Sequence, residues 1–197
     1  GEITIKALSN LCALINAAHD EKTSPGKISI LFSRPHNNSQ GVNDMGVVPE
    51  FFPGYRDINN ASNREKVEKL WGRKLSDNIF RKDAVNIIDL ALNGKLKALY
   101  VMGENPIINY PVGKDIQAAL KRVDFIVVQD TFLTETAQLA DVVFPAATFA
   151  EKEGTFTNMG MTVQPLNKAI QPVGDAKPDW QIICELAKKM GHAYSYL

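Results

Sequence analysis

The chain has 197 residues, of which 45% are hydrophobic, enough to bury a core and form one compact domain. Its 22 Lys and Arg balance 22 Asp and Glu, so the overall charge favours neither nucleic acid nor an anionic membrane as a partner. No run of about 18 apolar residues argues for membrane insertion, and the first residues lack the blocks of a signal peptide, so we expect a soluble, cytoplasmic protein, with a periplasmic location left open.

Two cysteines, Cys12 and Cys184, lie far apart, each within an apolar helical pattern. We interpret them as buried free thiols rather than as a disulfide or a metal pair. We therefore expect no metal ligand and no iron–sulfur or zinc site in this chain. Because the chain starts with Gly1 rather than Met, we interpret it as a fragment of a longer protein.

The first third of the chain predicts a helix, a strand and a polar loop. Apolar residues recur at three- and four-residue spacing from Ile3 to Ala18, the pattern of an amphipathic helix. The apolar run Ile28–Phe32 predicts a short buried strand. The loop that follows, residues 33–46, is dense in amides and glycines and contains Arg34. Amides and a guanidinium suit a polar ligand, but such residues also dominate ordinary turns, and composition alone favours the turn.

Residues 47–97 supply packing elements. The prolines and glycines of residues 47–55 predict an ordered loop, held by its aromatic side chains. Asn63 is placed to cap a helix that ends at Gly72. A second helix, Ala84–Leu92, leads directly into the next predicted strand.

The stretch Lys97–Pro145 organises the rest of the chain. Apolar runs at 98–102, 125–128 and 142–144 follow one another, with a helical pattern between the first two. This alternation is typical of parallel strands joined by crossover helices. We expect the runs at 28–32, 98–102 and 125–128 to be neighbouring parallel strands.

Polar residues end these strands abruptly. The carboxyl ends of parallel strands line the ligand crevice of an open sheet, so five residues should lie side by side there: Gly103, Glu104, Asn105, Gln129 and Asp130. Such a crevice suits a nucleotide-like ligand, with Asp130 accepting hydrogen bonds from a base or a sugar. An equally weighted alternative is that these residues only cap helices. No Walker or GxGxxG loop and no nucleophile–histidine set indicates a reaction.

The last part of the chain predicts a hairpin and a helix. Short β segments at 155–157 and 162–164 flank Asn158-Met159-Gly160, a pattern that favours an antiparallel hairpin. The final helix begins near Asp179 and ends at Gly191. The predicted fold is therefore α/β: a doubly wound, mainly parallel sheet flanked by helices, with a small β-hairpin after the core.

Four sequence blocks point to a known family: the loop 34–46, with NN-x-QG-x-x-DMG and the PGY that follows at 53–55, MGENP at 102–106, the long block 127–158, and Asp179-Trp180. Together they resemble the catalytic subunit of molybdopterin oxidoreductases, and within that family the formate dehydrogenase alpha subunits. The blocks stand in family order and extend from near the start of the chain to near its end. This combination is more specific than any single motif.

The resemblance implies that residues 1–197 form one cofactor-binding domain, the third domain of such a subunit. That domain would bind one guanine dinucleotide arm of a bis-molybdopterin guanine dinucleotide cofactor. By position, Gly103, Glu104 and Asn105 would approach the dinucleotide, and Gln129 and Asp130 would hold its ribose or guanine. Asp179 would approach from the last helix. The polar loop matches at Asn37, Asn38, Gln40 and Gly41.

The resemblance also implies a reaction for the full-length enzyme. Arg34 matches an arginine that orients the substrate carboxylate, and His36 stands close to the substrate where related enzymes read Arg-Gly-Gln. The full enzyme would oxidise formate to CO2 at molybdenum or tungsten, with the iron–sulfur cluster outside this chain. Its partners would be the remaining domains of the catalytic subunit and electron-transfer subunits. We expect this chain alone to be inactive and to hold no stoichiometric metal.

A second hypothesis stays open beside the enzyme. The family's N-x-E-G-R-V-Q appears here as residues 158–164 without its acid and its arginine. This difference leaves room for a relative that kept the fold, lost the cofactor and became a structural or interaction subunit of a large respiratory complex. Retention of Gly103, Gln129, Asp130 and Asp179 favours the cofactor-binding domain.

Overall fold

A computed structural model describes residues 2–18, 28–31, 33, 36–76, 84–110 and 113–192. In chain order its elements are α1 (Glu2–Ala17), α2 (Ser39–Asp44), β1 (Phe51–Phe52), β2 (Arg56–Asp57), α3 (Ala61–Trp71), α4 (Ala84–Leu92), β3 (Ala98–Met102), α5 (Pro106–Asn109), α6 (Gly113–Leu120), β4 (Phe125–Asp130), β5 (Val142–Pro145), β6 (Gly154–Thr157), β7 (Val163–Leu166) and α7 (Asp179–Lys189). Short 3-10 turns cover 137–139 and 149–151. In this described part no helix is both long and apolar enough to cross a membrane.

The centre of the fold is a three-stranded parallel sheet in the order β3-β4-β5. The register runs from Ala98 opposite Phe125 to Met102 opposite Gln129, and β5 pairs with the last four residues of β4. The predicted parallel pairing of 98–102 with 125–128 is therefore confirmed. A separate antiparallel hairpin, β6–β7, follows the core as predicted.

The two faces of the sheet are covered differently. One face presents Val101, Ile126 and Val128 to Ile116 and Leu120 of α6, and these residues form the main buried cluster. Because side chains alternate along a strand, Tyr100 and Gln129 point to the other face, where α7 contacts the sheet. Helices therefore flank both faces, and the predicted α/β class is confirmed.

The prediction of a strand at 28–32 is wrong for the described residues 28–31, which form no strand. The side-chain amide of Asn16 forms hydrogen bonds with both backbone polar groups of Ile28. Asn16 Nδ2 donates to Ile28 O at 2.7 Å, and Asn16 Oδ1 accepts from Ile28 N at 2.8 Å. The segment is also exposed rather than buried, with Leu31 59% exposed. A side chain has replaced a neighbouring strand as the hydrogen-bonding partner. Phe32 lies outside the described residues.

Helix α1 forms where the spacing predicts it, but the apolar residues along it are not covered, with Leu11 52% exposed. Cys12 and Cys184 are free, yet each is half-buried rather than buried. Both findings have one cause. Hydrophobic spacing reports the face a helix offers, whereas burial depends on what packs against that face.

A second small cluster joins the β1–β2 hairpin to α3. Phe52, Ile58 and Val67 are buried there, and the loop predicted for 47–55 contains β1 of this hairpin. Asn60, not Asn63, caps α3: its side chain accepts from Ser62 N at 3.0 Å and Asn63 N at 3.2 Å. Gly72 ends the helix with a left-handed φ of 63°, as predicted.

Candidate functional site

The structure brings together the polar residues that follow the parallel strands. We call this group the strand-end cluster: Gly103, Glu104, Asn105, Gln129, Asp130 and Asp179. Gly103 N donates to Gln129 O at 2.9 Å, which aligns the two strand ends. Gly103 has φ +60°, and in the described part of the chain no atom beyond its two chain neighbours lies within 4 Å of the place where a Cβ would be. Glycine is used here for its conformation, and the space beside it is open.

Asn105 is fixed by the loop that follows β4, and Glu104 is fixed by its own loop and α5. Asn105 Nδ2 donates to Glu135 Oε2 at 2.8 Å, and Thr136 Oγ1 donates to Asn105 Oδ1 at 2.7 Å. The hydrogen bond from Asn105 lowers the pKa of the Glu135 carboxyl, and its own backbone amide lowers it further. Glu104 Oε1 accepts from Asn105 N at 3.1 Å and from the Asn109 side chain. Glu135 and Thr136 cannot be recognised from the sequence as partners of Asn105, because no spacing rule links residues 30 and 31 positions apart.

Gln129 lies inside the fold rather than in the open crevice. It is 0% exposed. Its Oε1 accepts from Tyr100 Oη at 2.6 Å, and its Nε2 donates to Asp179 Oδ1 at 2.7 Å. Lys152 donates to Asp179 Oδ2. Strand alternation could have identified Tyr100, which is two positions before Met102, the register partner of Gln129. Nothing in the sequence pattern indicated Lys152.

Asp130 is held by its own turn. Its Oδ1 accepts from Thr131 N at 2.7 Å and from Phe132 N at 3.3 Å. Within the described ranges, Oδ2 receives no hydrogen bond, and the residue is half-exposed. One carboxylate oxygen is therefore oriented by the backbone.

The predicted residues of the polar loop form a second group, the loop–hairpin cluster: His36, Asn37, Asn38, Gln40 and Gly41, with Thr157 and Asn158 of the hairpin. His36, Asn37 and Gln40 line a cavity of about 270 Å³ against Thr157–Met159. Asn38 Oδ1 accepts from Thr157 N at 3.0 Å, which attaches the loop to β6. A Cβ on Gly41 would come within 2.4 Å of Asn38 Oδ1, so a larger residue there would displace the side chain that accepts from Thr157 N.

The remaining catalytic candidates have different outcomes. Arg34 lies outside the described residues, so its position is not assigned. His36 accepts from Ser39 N at 3.2 Å through its backbone oxygen, and its side chain lines the cavity of the loop–hairpin cluster. Gln40 is buried, and its Nε2 donates to Asp44 Oδ1 at 2.7 Å and to Tyr55 Oη at 3.0 Å. Where the chain is described, no three His, Cys, Asp or Glu side chains group as metal ligands.

Fold and site define a class: an α/β domain with a polar crevice at the carboxyl ends of its parallel strands, the usual ligand position in such sheets. Residues 1–189 match the family model of the molybdopterin oxidoreductases. The chain belongs to that family.

Curated relatives agree with this assignment. The chain is 44% identical over 192 residues to the F420-dependent formate dehydrogenase subunit alpha of Methanocaldococcus jannaschii, a match that covers 98% of this chain and 27% of that protein. It is 42% identical over 196 residues to a putative formate dehydrogenase of Staphylococcus haemolyticus, covering 100% and 19%. An NADPH-Fe(3+) oxidoreductase subunit alpha of Geobacter sulfurreducens is 39% identical over 186 residues, covering 94% and 21%. The chain thus spans about a fifth to a quarter of these relatives.

A solved structure supports the fold. Acetylene hydratase from Pelobacter acetylenicus superposes with a TM-score of 0.51 at 27% identity, over 65% of this chain and 19% of that one. The family of this chain is one of oxidoreductases named for a molybdopterin cofactor. Its relatives include proteins named as alpha subunits.

Proposed function

We propose that the strand-end cluster binds the guanosine end of a molybdopterin guanine dinucleotide, one arm of a bis-molybdopterin cofactor, and that residues 1–197 form one such binding domain. The observation that carries the proposal is Asp130. Its Oδ1 is fixed by two backbone amides, while its Oδ2 has no donor in the described part of the chain. A carboxylate held in this way is ready to accept from a ligand.

The hydrogen-bond acceptors of the strand-end cluster fit the donors of guanosine. Guanine offers an N1–H and an amino group side by side, and its ribose offers hydroxyl donors, whereas a carboxylate only accepts. Asp130 and Asp179 therefore supply acceptors, and Asp179 retains accepting capacity because a carboxylate has about four lone-pair sites and two are in use. Adenine presents an acceptor at N1, which a carboxylate repels. The open space beside Gly103 allows the dinucleotide to approach the backbone.

The loop–hairpin cluster belongs, in this proposal, on the substrate side. Its amides line a cavity with His36, and Arg34 in the same loop supplies a planar fork of donors suited to a carboxylate. The bound cofactor supplies the redox chemistry of molybdenum or tungsten, while the residues of this chain bind and orient. In the full-length protein we assign the substrate as formate and the product as CO2, because several relatives are named formate dehydrogenases.

The partners follow from the same proposal. The chain spans about a fifth to a quarter of its relatives, so the remaining domains of a catalytic subunit would complete the cofactor site. Electron-transfer subunits would take the two electrons that formate gives up. An iron–sulfur cluster, where present, would be held outside this chain.

Nucleotide titration by calorimetry tests the proposal. We expect GMP to bind with a dissociation constant of about 0.1–1 mM, equivalent to about 4–5.5 kcal/mol, and AMP to bind more weakly. Asp130→Ala should abolish GMP binding. Asp130→Asn keeps an oxygen for the turn but presents an amide in place of Oδ2, so it should also lose GMP while remaining folded.

A matched control lies at the other end of the same strand. Asp124 precedes β4 and forms an exposed ion pair with Lys97 at 3.0 Å. Asp124→Asn should leave the GMP affinity unchanged. Equal affinities for GMP and AMP, or equal losses in Asp124→Asn and Asp130→Asn, would reject the site and favour the cofactor-free structural subunit.

A further inference from the structure

A chain of hydrogen bonds crosses the carboxyl end of the sheet from β3 to α7. Tyr100 Oη donates to Gln129 Oε1 at 2.6 Å, and Gln129 Nε2 donates to Asp179 Oδ1 at 2.7 Å. Asp179 Oδ2 accepts from Lys152. Tyr100 and Gln129 meet because they share one face of the sheet, Tyr100 being in register with Val127, two residues before Gln129. Side chains therefore tie the first turn of α7 to two strands.

The chemistry of the three groups determines which of them donates in each of these hydrogen bonds. An ionised carboxylate only accepts, so Gln129 must turn its amino group to Asp179 and its carbonyl oxygen to Tyr100. The Tyr100 hydroxyl must then be the donor. Gln129 is wholly buried in the presence of Tyr100, so its side chain takes its hydrogen bonds from the protein.

We propose that Tyr100 is a positioning residue of the guanosine site, which acts through Gln129 to fix the Asp179 carboxylate against the guanine amino group. This inference rests on the function proposed above. The Asp179 side chain is 33% exposed, so a ligand reaches it. Without the Tyr100 hydroxyl, Gln129 Oε1 becomes a buried acceptor with no donor. If the Gln129 amide rotates to find another donor for Oε1, its Nε2 moves away from Asp179.

The titration of Tyr100 agrees with its role as a donor. Burial raises the pKa of the Tyr100 hydroxyl, and the negative charge of Asp179 raises it further. The hydroxyl therefore keeps its proton throughout the neutral range. Asp130, in contrast, is oriented by backbone amides and does not depend on Tyr100.

The test compares GMP with IMP, which lacks the amino group. Tyr100→Phe should weaken GMP binding about fivefold to tenfold and change IMP binding by less than about twofold, so the GMP preference falls. Tyr55→Phe is the matched control, because the Tyr55 hydroxyl also contacts a buried glutamine, Gln40. It should leave the GMP-to-IMP ratio unchanged, as a purely structural hydroxyl would.

The outcomes separate this inference from the proposed function. A wild-type chain that binds GMP no more tightly than AMP contradicts the proposed function. A wild-type chain that binds GMP and IMP equally overturns the contact between Asp179 and the guanine amino group, and with it the role of Tyr100. A wild-type preference that Tyr100→Phe leaves intact, or an equal loss of GMP and IMP, overturns the role of Tyr100 alone. If Tyr100→Phe does not fold, the side-chain amide resonances of Gln129 in the wild-type chain decide: they should exchange slowly with water and move when GMP is added. Gln129 amide resonances that GMP leaves unmoved would overturn the inference.

Discussion

The two clusters of this domain are assembled in different ways. The strand-end cluster stands on the parallel sheet, and its side-chain bonds join residues 29 and 50 positions apart. The loop–hairpin cluster depends on a bond between Asn38 and Thr157, 119 positions apart, outside that sheet. The difference implies that the parallel sheet determines the geometry of the strand-end cluster, whereas a few loop contacts determine the geometry of the loop–hairpin cluster.

The largest effect should come from the core beneath the strand-end cluster. Leu120 is 1% exposed and packs with Ile116 and Val128. Leu120→Ala should lower the free energy of unfolding by about 2–5 kcal/mol, measured by urea denaturation. Leu70→Ala, on the solvent side of α3 and 77% exposed, should stay within about 0.5 kcal/mol. Equal effects of the two substitutions would contradict the placement of the core.

A smaller, local effect should follow removal of the loop–hairpin bond. Asn38→Ala leaves the backbone N–H of Thr157, a buried residue, without its acceptor, at a cost of about 1–3 kcal/mol. Hydrogen exchange of the Thr157 amide should speed up, while the amides of Gly103 and Gln129 stay protected. Asn38→Asp keeps an acceptor and should restore most of the protection. Faster exchange at Gly103 and Gln129 as well would mean that the two clusters are not independent.

The smallest effect is a pKa change inside the strand-end cluster. Burial and then the Asp179 charge raise the Tyr100 pKa above its usual value of 10.0. Asp179→Asn removes the second cause, so the Tyr100 pKa should fall but stay raised, measured by tyrosinate absorbance with Tyr100→Phe as the subtraction control. Because the Tyr100 pKa is higher in the native state than in the unfolded state, it favours the native state below pH 10. This contribution is lost as the pH rises through the Tyr100 pKa of the native state. An unchanged Tyr100 pKa in Asp179→Asn would contradict the hydrogen-bonded chain.

The sequence predicted the strand-end neighbours because strand position alone determines them. Parallel strands place their carboxyl ends at one edge, so Gly103 and Gln129 had to meet once the two strands were identified. Lys152 could not be found in this way, because it follows the 3-10 turn at 149–151 and reaches Asp179 through the rotamer of a long side chain. Local spacing carries no information about such a contact.

The errors in the fold have a similar origin. The apolar run that begins at Ile28 satisfies the pattern of a strand, yet its first residue is bonded to the side chain of Asn16. The pattern describes the segment and not its partner. The sequence pattern favours Asn63 as the cap of α3, three residues after the observed cap, because asparagine is a good capping residue at either position. The hydrogen bonds in the structure identify Asn60 as the cap.

Binding of a guanine nucleotide at the strand ends can be followed residue by residue through the backbone amide resonances of the labelled chain during titration with GMP. We expect shifts at residues 103–105 and 129–131, none in α3, weaker shifts with AMP, and no shifts in Asp130→Ala. Shifts confined to other regions while 103–105 and 129–131 stay silent, or equal responses to GMP and AMP, would contradict binding at the strand ends.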